Sequence, residues 1–186
     1  MIKLMPGLLP LEFCHFFTHL LLRNRSVNPC SLDPQLPTAT FMGGNLAFET
    51  LQERFWPLLE STVGEPLLPT YAYARLYTNG DVLEPHFDRP ACEVSVTLQL
   101  GRSHHYSWPI YMGGQRFDLA EGDAIVYPGC EIEHWREVCA GPRDYYSGQL
   151  FLHFVRATGA HAACAGDGRT QPGFYDRVRT LAMENK

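Results

Sequence analysis

The sequence predicts an α+β fold, mainly β, in which N-terminal helices back a jelly roll. Three observations carry the prediction. Apolar residues recur at helical spacing only in the first third of the chain. From residue 70 onward the pattern changes to short segments of strand period, rich in β-branched and aromatic residues. Gly and Pro punctuate those segments at short intervals, as in a sandwich or barrel. With 186 residues, 45% hydrophobic and 19% charged, the chain suits one well-buried domain and is short for two.

The first helix is predicted over 10–23, where Leu11, Cys14, Phe17, Leu20 and Leu21 share a side. Pro10 fits its first turn, where a missing N–H is no loss. The wider apolar run from Met1 is interrupted by Pro6, Pro10, Glu12, His15 and His19. No small-residue cleavage site follows, so it reads neither as a signal peptide nor as a membrane span. Residues 24–40, rich in Asn, Ser and Pro, read as a loop. A second helix runs from about Asn45 to Thr62, kinked or interrupted at Pro57 and ended by Gly64 and Pro66. The helical part thus spans ~10–62, followed by a β core over ~70–155.

Within that core, YAYARLY (71–77) alternates strictly. Ala72, Ala74 and Leu76 form a small apolar face suited to packing on a helix. Tyr71, Tyr73, Arg75 and Tyr77 form the other, which suits either a polar cavity or a solvent-facing aromatic ladder. After the turn at Asn79-Gly80-Asp81 come further strands at 93–101, 105–114, 116–129, 132–138 and 148–155. The tail over ~157–186 is small and polar and reads as mobile, with a short helix possible at 174–183.

A formal charge of −5 without a basic cluster disfavours a nucleic-acid partner. Six scattered cysteines with no C-x-x-C pair read as reduced thiols of a cytoplasmic protein, not as a disulfide framework.

The chemistry lies in the β core. His86 and Asp88 stand two apart in extended chain, so both face one way. A third ligand from another strand completes two imidazoles and a carboxylate, leaving open metal positions of the kind redox-active iron(II) uses. Among the other histidines, His15 and His19 fall on a helix, His104 and His105 in a hairpin loop, and His161 in the tail. His153, on a late strand, stays a pocket candidate. His134 suits best, because EGDAIVYPGCEIEHWREV leads through a turn, a strand and a Pro-Gly turn to a histidine opening the next strand.

PHFD, EGDAIVYPG…H and a basic residue nine positions after that histidine resemble the prolyl-4-hydroxylase-like branch of iron(II)/2-oxoglutarate-dependent dioxygenases. The resemblance covers about residues 70–155. It implies a cupin-like double-stranded β-helix and iron(II) held by His86, Asp88 and His134. It also implies 2-oxoglutarate and dioxygen as co-substrates, with succinate and carbon dioxide released as an unactivated C–H bond is hydroxylated. Arg143 matches the basic residue that pairs with the distal carboxylate of 2-oxoglutarate, and Tyr77 a tyrosine beside it. Here DYYSG (144–148) intervenes before the last strand, which makes Arg75 the reserve, since it shares a face with Tyr77. Asp88 favours hydroxylation over halogenation, since a smaller residue would leave room for halide.

Arg136, two past His134, reads either as an anchor for an anionic substrate group or as a salt-bridge partner of Glu131, Glu133 or Glu137. Trp135 points the other way, into the core. Trp108 and Tyr111 line the substrate mouth or pack in the core. The expected substrate is an amino acid, a peptide or another small metabolite. A jelly-roll protein holding zinc or manganese at the same ligands without turnover is the alternative.

Overall fold

In the computed structural model, which describes residues 1–28 and 35–168, the alternation at 71–77 belongs to a longer strand. This strand, β3 (Leu67–Thr78), turns Ala72, Ala74 and Leu76 to the main core. Small side chains there let the two helices approach the sheet closely. Helix α1 (Leu11–Val27) contributes Cys14, Phe17 and Leu21 to that core, and α2 (Leu46–Val63) contributes Phe48, Trp56 and Leu59.

Helix α2 opens at Asn45, whose Oδ1 accepts from the Ala47 N–H at 2.9 Å, and closes at Gly64 in the left-handed region, φ +91°. Of the two outcomes expected at Pro57, a kink or an interruption, the interruption does not occur: the helix runs through the proline. The anchors Phe48 and Gln52 lie before the proline and Leu59 after it, so both halves are held to the sheet. Trp56 also donates its indole N–H to the Leu67 carbonyl at 2.8 Å.

The remaining strands are β1 (Lys3–Met5), β2 (Thr40–Gly43), β4 (Leu83–His86), β5 (Val94–Arg102), β6 (Ile110–Met112), β7 (Gln115–Phe117), β8 (Ala124–Tyr127), β9 (His134–Arg136) and β10 (Tyr146–Arg156). They form two sheets. One runs β1-β8-β5-β10-β3-β2 and the other β4-β9-β6-β7, with every pairing antiparallel. The larger sheet carries the helices on its outer face. Strands β1 and β2, at its two edges, escaped sequence reading because three or four residues are too few to show a period.

The segment after β10 is more ordered than its composition suggests. A 3-10 stretch, Ala162–Gly168, folds back, and Asp167 takes both guanidinium nitrogens of Arg89 at 2.8 Å. The helix expected at 174–183 lies outside the described residues. Cys14, Cys92, Cys130, Cys139 and Cys164 are free thiols. Among the described residues no helix is long and apolar enough to cross a membrane.

Candidate metal centre

Strands β4 and β9 pair so that His86 and His134 lie directly opposite. Asp88, two residues past His86, falls on the same side. The ligand atoms of His86, Asp88 and His134 all lie within 4.8 Å of one another. Each histidine places Nδ1 against a carbonyl of its own segment, Glu84 at 2.8 Å and Ile132 at 2.9 Å. A carbonyl only accepts, so in the neutral rings Nδ1 carries the hydrogen and Nε2 keeps its lone pair. Both Nε2 atoms approach Asp88 Oδ1, at 3.8 Å from His86 and 3.5 Å from His134.

Burial, helped by the facing His134, pulls His86 below its ordinary value and favours the neutral ring that binds metal. Burial pushes the Asp88 carboxyl up, but His134, His153 and Ser95 outweigh it and leave the group at about 2. Asp88 Oδ2 accepts from the Ser95 hydroxyl at 2.7 Å, and its backbone N–H donates to the Gly129 carbonyl at 2.9 Å. Gly129 is crowded. A Cβ there would stand 2.2 Å from Asp88 Oδ2 and 2.5 Å from the Cys92 carbonyl.

Asp88, Cys92 and His153 also bring donor atoms within 4.8 Å. They make the poorer metal set. Burial pushes the Cys92 thiol up to about 12, and Tyr71 Oη lies 3.0 Å from its sulfur. A metal would have to displace that proton and the Tyr71 contact before the sulfur could ligate it.

A cavity of about 490 Å³ opens beside His86 and Asp88. Tyr71, Tyr73 and Arg75 from β3, Phe41 from β2, Phe87, Arg89 and His153 are among its walls. The polar face of 71–77 is thus a cavity wall and not a solvent-facing ladder. Arg75 is 2% exposed and donates to Tyr77 Oη at 3.1 Å and Gln35 Oε1 at 3.2 Å. Tyr77 is fully buried below it, edge-on to Trp108 at 5.0 Å.

Other expected site residues stand elsewhere. Arg143 is exposed on the turn before β10, because DYYSG delays that strand to Tyr146 and turns Tyr145 inward instead. Trp108 does not border the cavity; it is buried and donates its indole N–H to the Glu137 carbonyl at 2.7 Å. Trp135 is half-buried rather than core, stacked on Tyr111 at 5.3 Å. Arg136 pairs with none of Glu131, Glu133 and Glu137. It is 2% exposed, lies over the Trp108 ring at 5.0 Å and donates through Nη1 to the Trp108 carbonyl. Its Nη2 has no hydrogen-bond partner among the described residues. Burial pulls this guanidinium below its ordinary value.

Sequence reasoning missed Ser95, Cys92 and Gly129, and left His153 open. The relevant signal is the register of β10 on β5, which sets His153 opposite Ser95 and is not visible in either strand alone.

No family model matches the chain, and neither does any curated protein. Solved structures do. A Pseudomonas putida prolyl-4-hydroxylase superposes with a TM-score of 0.63 at 15% identity, over 83% of this chain and 92% of that one. HygX from Streptomyces hygroscopicus, solved with nickel and 2-oxoglutarate bound, gives 0.65 at 12% identity, over 84% and 83%. The 2-oxoglutarate-dependent non-haem epimerase SnoN from nogalamycin biosynthesis gives 0.66 at 13%, over 84% and 78%. The fold is therefore the double-stranded β-helix expected from the sequence.

Proposed function

We propose that this protein is an iron(II)- and 2-oxoglutarate-dependent dioxygenase that hydroxylates an unactivated C–H bond of an amino-acid, peptidyl or small-metabolite substrate. One observation carries the reading: two imidazoles with hydrogen-bonded Nδ1 atoms, on neighbouring antiparallel strands, bring their Nε2 atoms to Asp88 Oδ1. Two neutral nitrogens and one carboxylate suit iron(II) and leave metal positions for other ligands. When bound, iron(II) and 2-oxoglutarate supply an oxidative decarboxylation with dioxygen that yields succinate and carbon dioxide and oxidises the substrate.

The chain's own residues would do the holding. His86, Asp88 and His134 ligate the metal, and Ser95 orients the carboxylate. Arg136 follows His134 by two residues on β9 and so shares its face. A guanidinium this buried, with no carboxylate paired to it among the described residues, costs several kcal/mol unless a carboxylate meets it. Its unsatisfied Nη2 supports Arg136, in place of Arg143, as the group that receives the distal carboxylate of 2-oxoglutarate. Arg75 adds positive charge to the cavity wall, and Tyr77 braces it. The free thiols support a reducing, cytoplasmic setting.

The test is anaerobic titration with iron(II) and 2-oxoglutarate, following the weak visible metal-to-ligand charge-transfer band. The band should form in the wild type and vanish in His134→Ala. Arg136→Ala should weaken 2-oxoglutarate binding about 10- to 100-fold while sparing the metal, as expected for losing a charged hydrogen bond. Arg143→Ala should change nothing. Absence of the band in the wild type sinks the reading; full 2-oxoglutarate affinity in Arg136→Ala returns the carboxylate to another residue.

A further inference from the structure

The cavity beside the metal ligands has a wall whose chemistry specifies a partner. His153 borders it from β10 and is 2% exposed. Its Nδ1 lies 3.0 Å from Ser95 Oγ. Ser95 has one proton, and its two other partners, Asp88 Oδ2 at 2.7 Å and the Cys92 carbonyl at 3.0 Å, can only accept it. Ser95 Oγ must therefore accept from His153, which fixes the hydrogen on Nδ1 and leaves Nε2 as a bare acceptor. Burial holds the ring neutral, with its pKa down at about 4. Nε2 has no hydrogen-bond partner among the described residues. A buried acceptor left unmatched is costly, so this position calls for a donor.

Besides Arg75, Arg89 and Gln35, the wall around His153 is largely aromatic. Tyr71 and Tyr73 lie 4.7 Å and 5.6 Å from the His153 ring, and Phe41 packs on Tyr73 at 5.3 Å. At the rim Phe41 is 40% and Phe87 56% exposed. Large apolar side chains left in water around a cavity mouth suit an aromatic occupant, which stacks on them or meets them edge-to-face. The volume, about 490 Å³, is ample for such a ring.

We propose that the substrate is a planar aromatic small molecule carrying a hydroxyl or N–H group, its ring held by Tyr71, Tyr73, Phe41 and Phe87 and its donor bound to His153 Nε2. This assignment rests on the oxygenase reading for its role as substrate, although the binding itself does not need metal.

The probe is 2-naphthol against 2-methoxynaphthalene, matched in ring and differing in the donor. Their binding is measured by ligand-detected NMR on nickel(II)-loaded protein with 2-oxoglutarate, and on metal-free protein. The wild type should prefer 2-naphthol about tenfold in both forms, the scale of one buried hydrogen bond. His153→Gln, which offers an amide oxygen, should retain the preference. His153→Phe should bind both probes alike. If His153→Phe does not melt cooperatively, His153→Asn, which can still donate to Ser95 but is too short to reach the ligand, takes its place. Equal affinities in the wild type, no binding of either probe, or a preference that survives loss of the acceptor overturns the proposal. Calorimetry of nickel(II) and 2-oxoglutarate on the same samples separates the two claims. Failure there with the naphthol preference intact sinks the oxygenase reading alone, and the converse sinks the aromatic substrate alone.

Discussion

Asp88 is held by three small neighbours: the Ser95 hydroxyl on one oxygen, the Gly129 carbonyl on its backbone N–H, and the bare Cα of Gly129 against its side chain. The glycine has no strained backbone; only space demands it. Gly129→Ala should push the carboxylate off its position and weaken nickel(II) binding at least tenfold by calorimetry, because the obstructing Cys92 carbonyl belongs to the backbone and cannot swing away. Unchanged nickel affinity would mean that Asp88 is not a ligand or can be held elsewhere. Ser95→Ala removes the oriented hydrogen bond without adding bulk. A loss of roughly 10- to 100-fold in metal affinity is expected, the usual cost of an outer-shell partner. At this scale His86, Asp88 and His134 were legible in the sequence. Residue type and spacing alone mark His86 and Asp88 only weakly, and the turn-and-strand pattern leading to His134 makes the three a candidate ligand set.

Helix α2 illustrates a different balance. Its start was visible to within one residue, because Asn45 is a good cap, and its stop because Gly64 takes the left-handed conformation. Whether it passes through Pro57 or breaks there was left open, since contacts such as those of Gln52 with the Tyr71 and His153 carbonyls come from strands farther along the chain. Asn45→Ala should cost about 1 kcal/mol and lower the melting temperature by about 2–4 °C in a scanning experiment. No change would show that the Ala47 N–H finds another acceptor. The last strand makes the same point. Its strand character was clear from 148 onward, but its start at Tyr146, which leaves Arg143 outside, follows from pairing with β3 and β5.

Across the whole molecule, the two sheets bury a row of titratable groups between them, and stability should depend on pH accordingly. His153 is the clearest case. Burial lowers it from 6.5 to about 4 in the folded protein, with Asp88 and Asp167 opposing and Arg89 and His134 reinforcing the shift. As pH falls below about 6.5, the unfolded chain binds a proton there that the native chain refuses until about 4. Stability is therefore full near neutrality and falls across that window, by something on the order of 3 kcal/mol from this residue. His86, shifted the same way, adds to the slope. Melting temperatures of chelator-treated protein at pH 7.0 and 4.5, taken as about the ends of that window, should show the drop, and His153→Gln should flatten it. A wild-type profile without slope would place a solvated, ordinary imidazole at this position.

By itself the sequence determined the class of fold, the order of helices before strands and the three candidate metal ligands. These follow from hydrophobic period and from the few residue types that bind metal, both local properties of the chain. Only the tertiary structure decided which arginine lies buried within reach of the metal strand, which face of β3 forms a cavity, and that Ser95 fixes the tautomer of His153. Those outcomes depend on which strands meet and in what register, and a charge or an acceptor becomes costly enough to demand a ligand only after packing has removed its water.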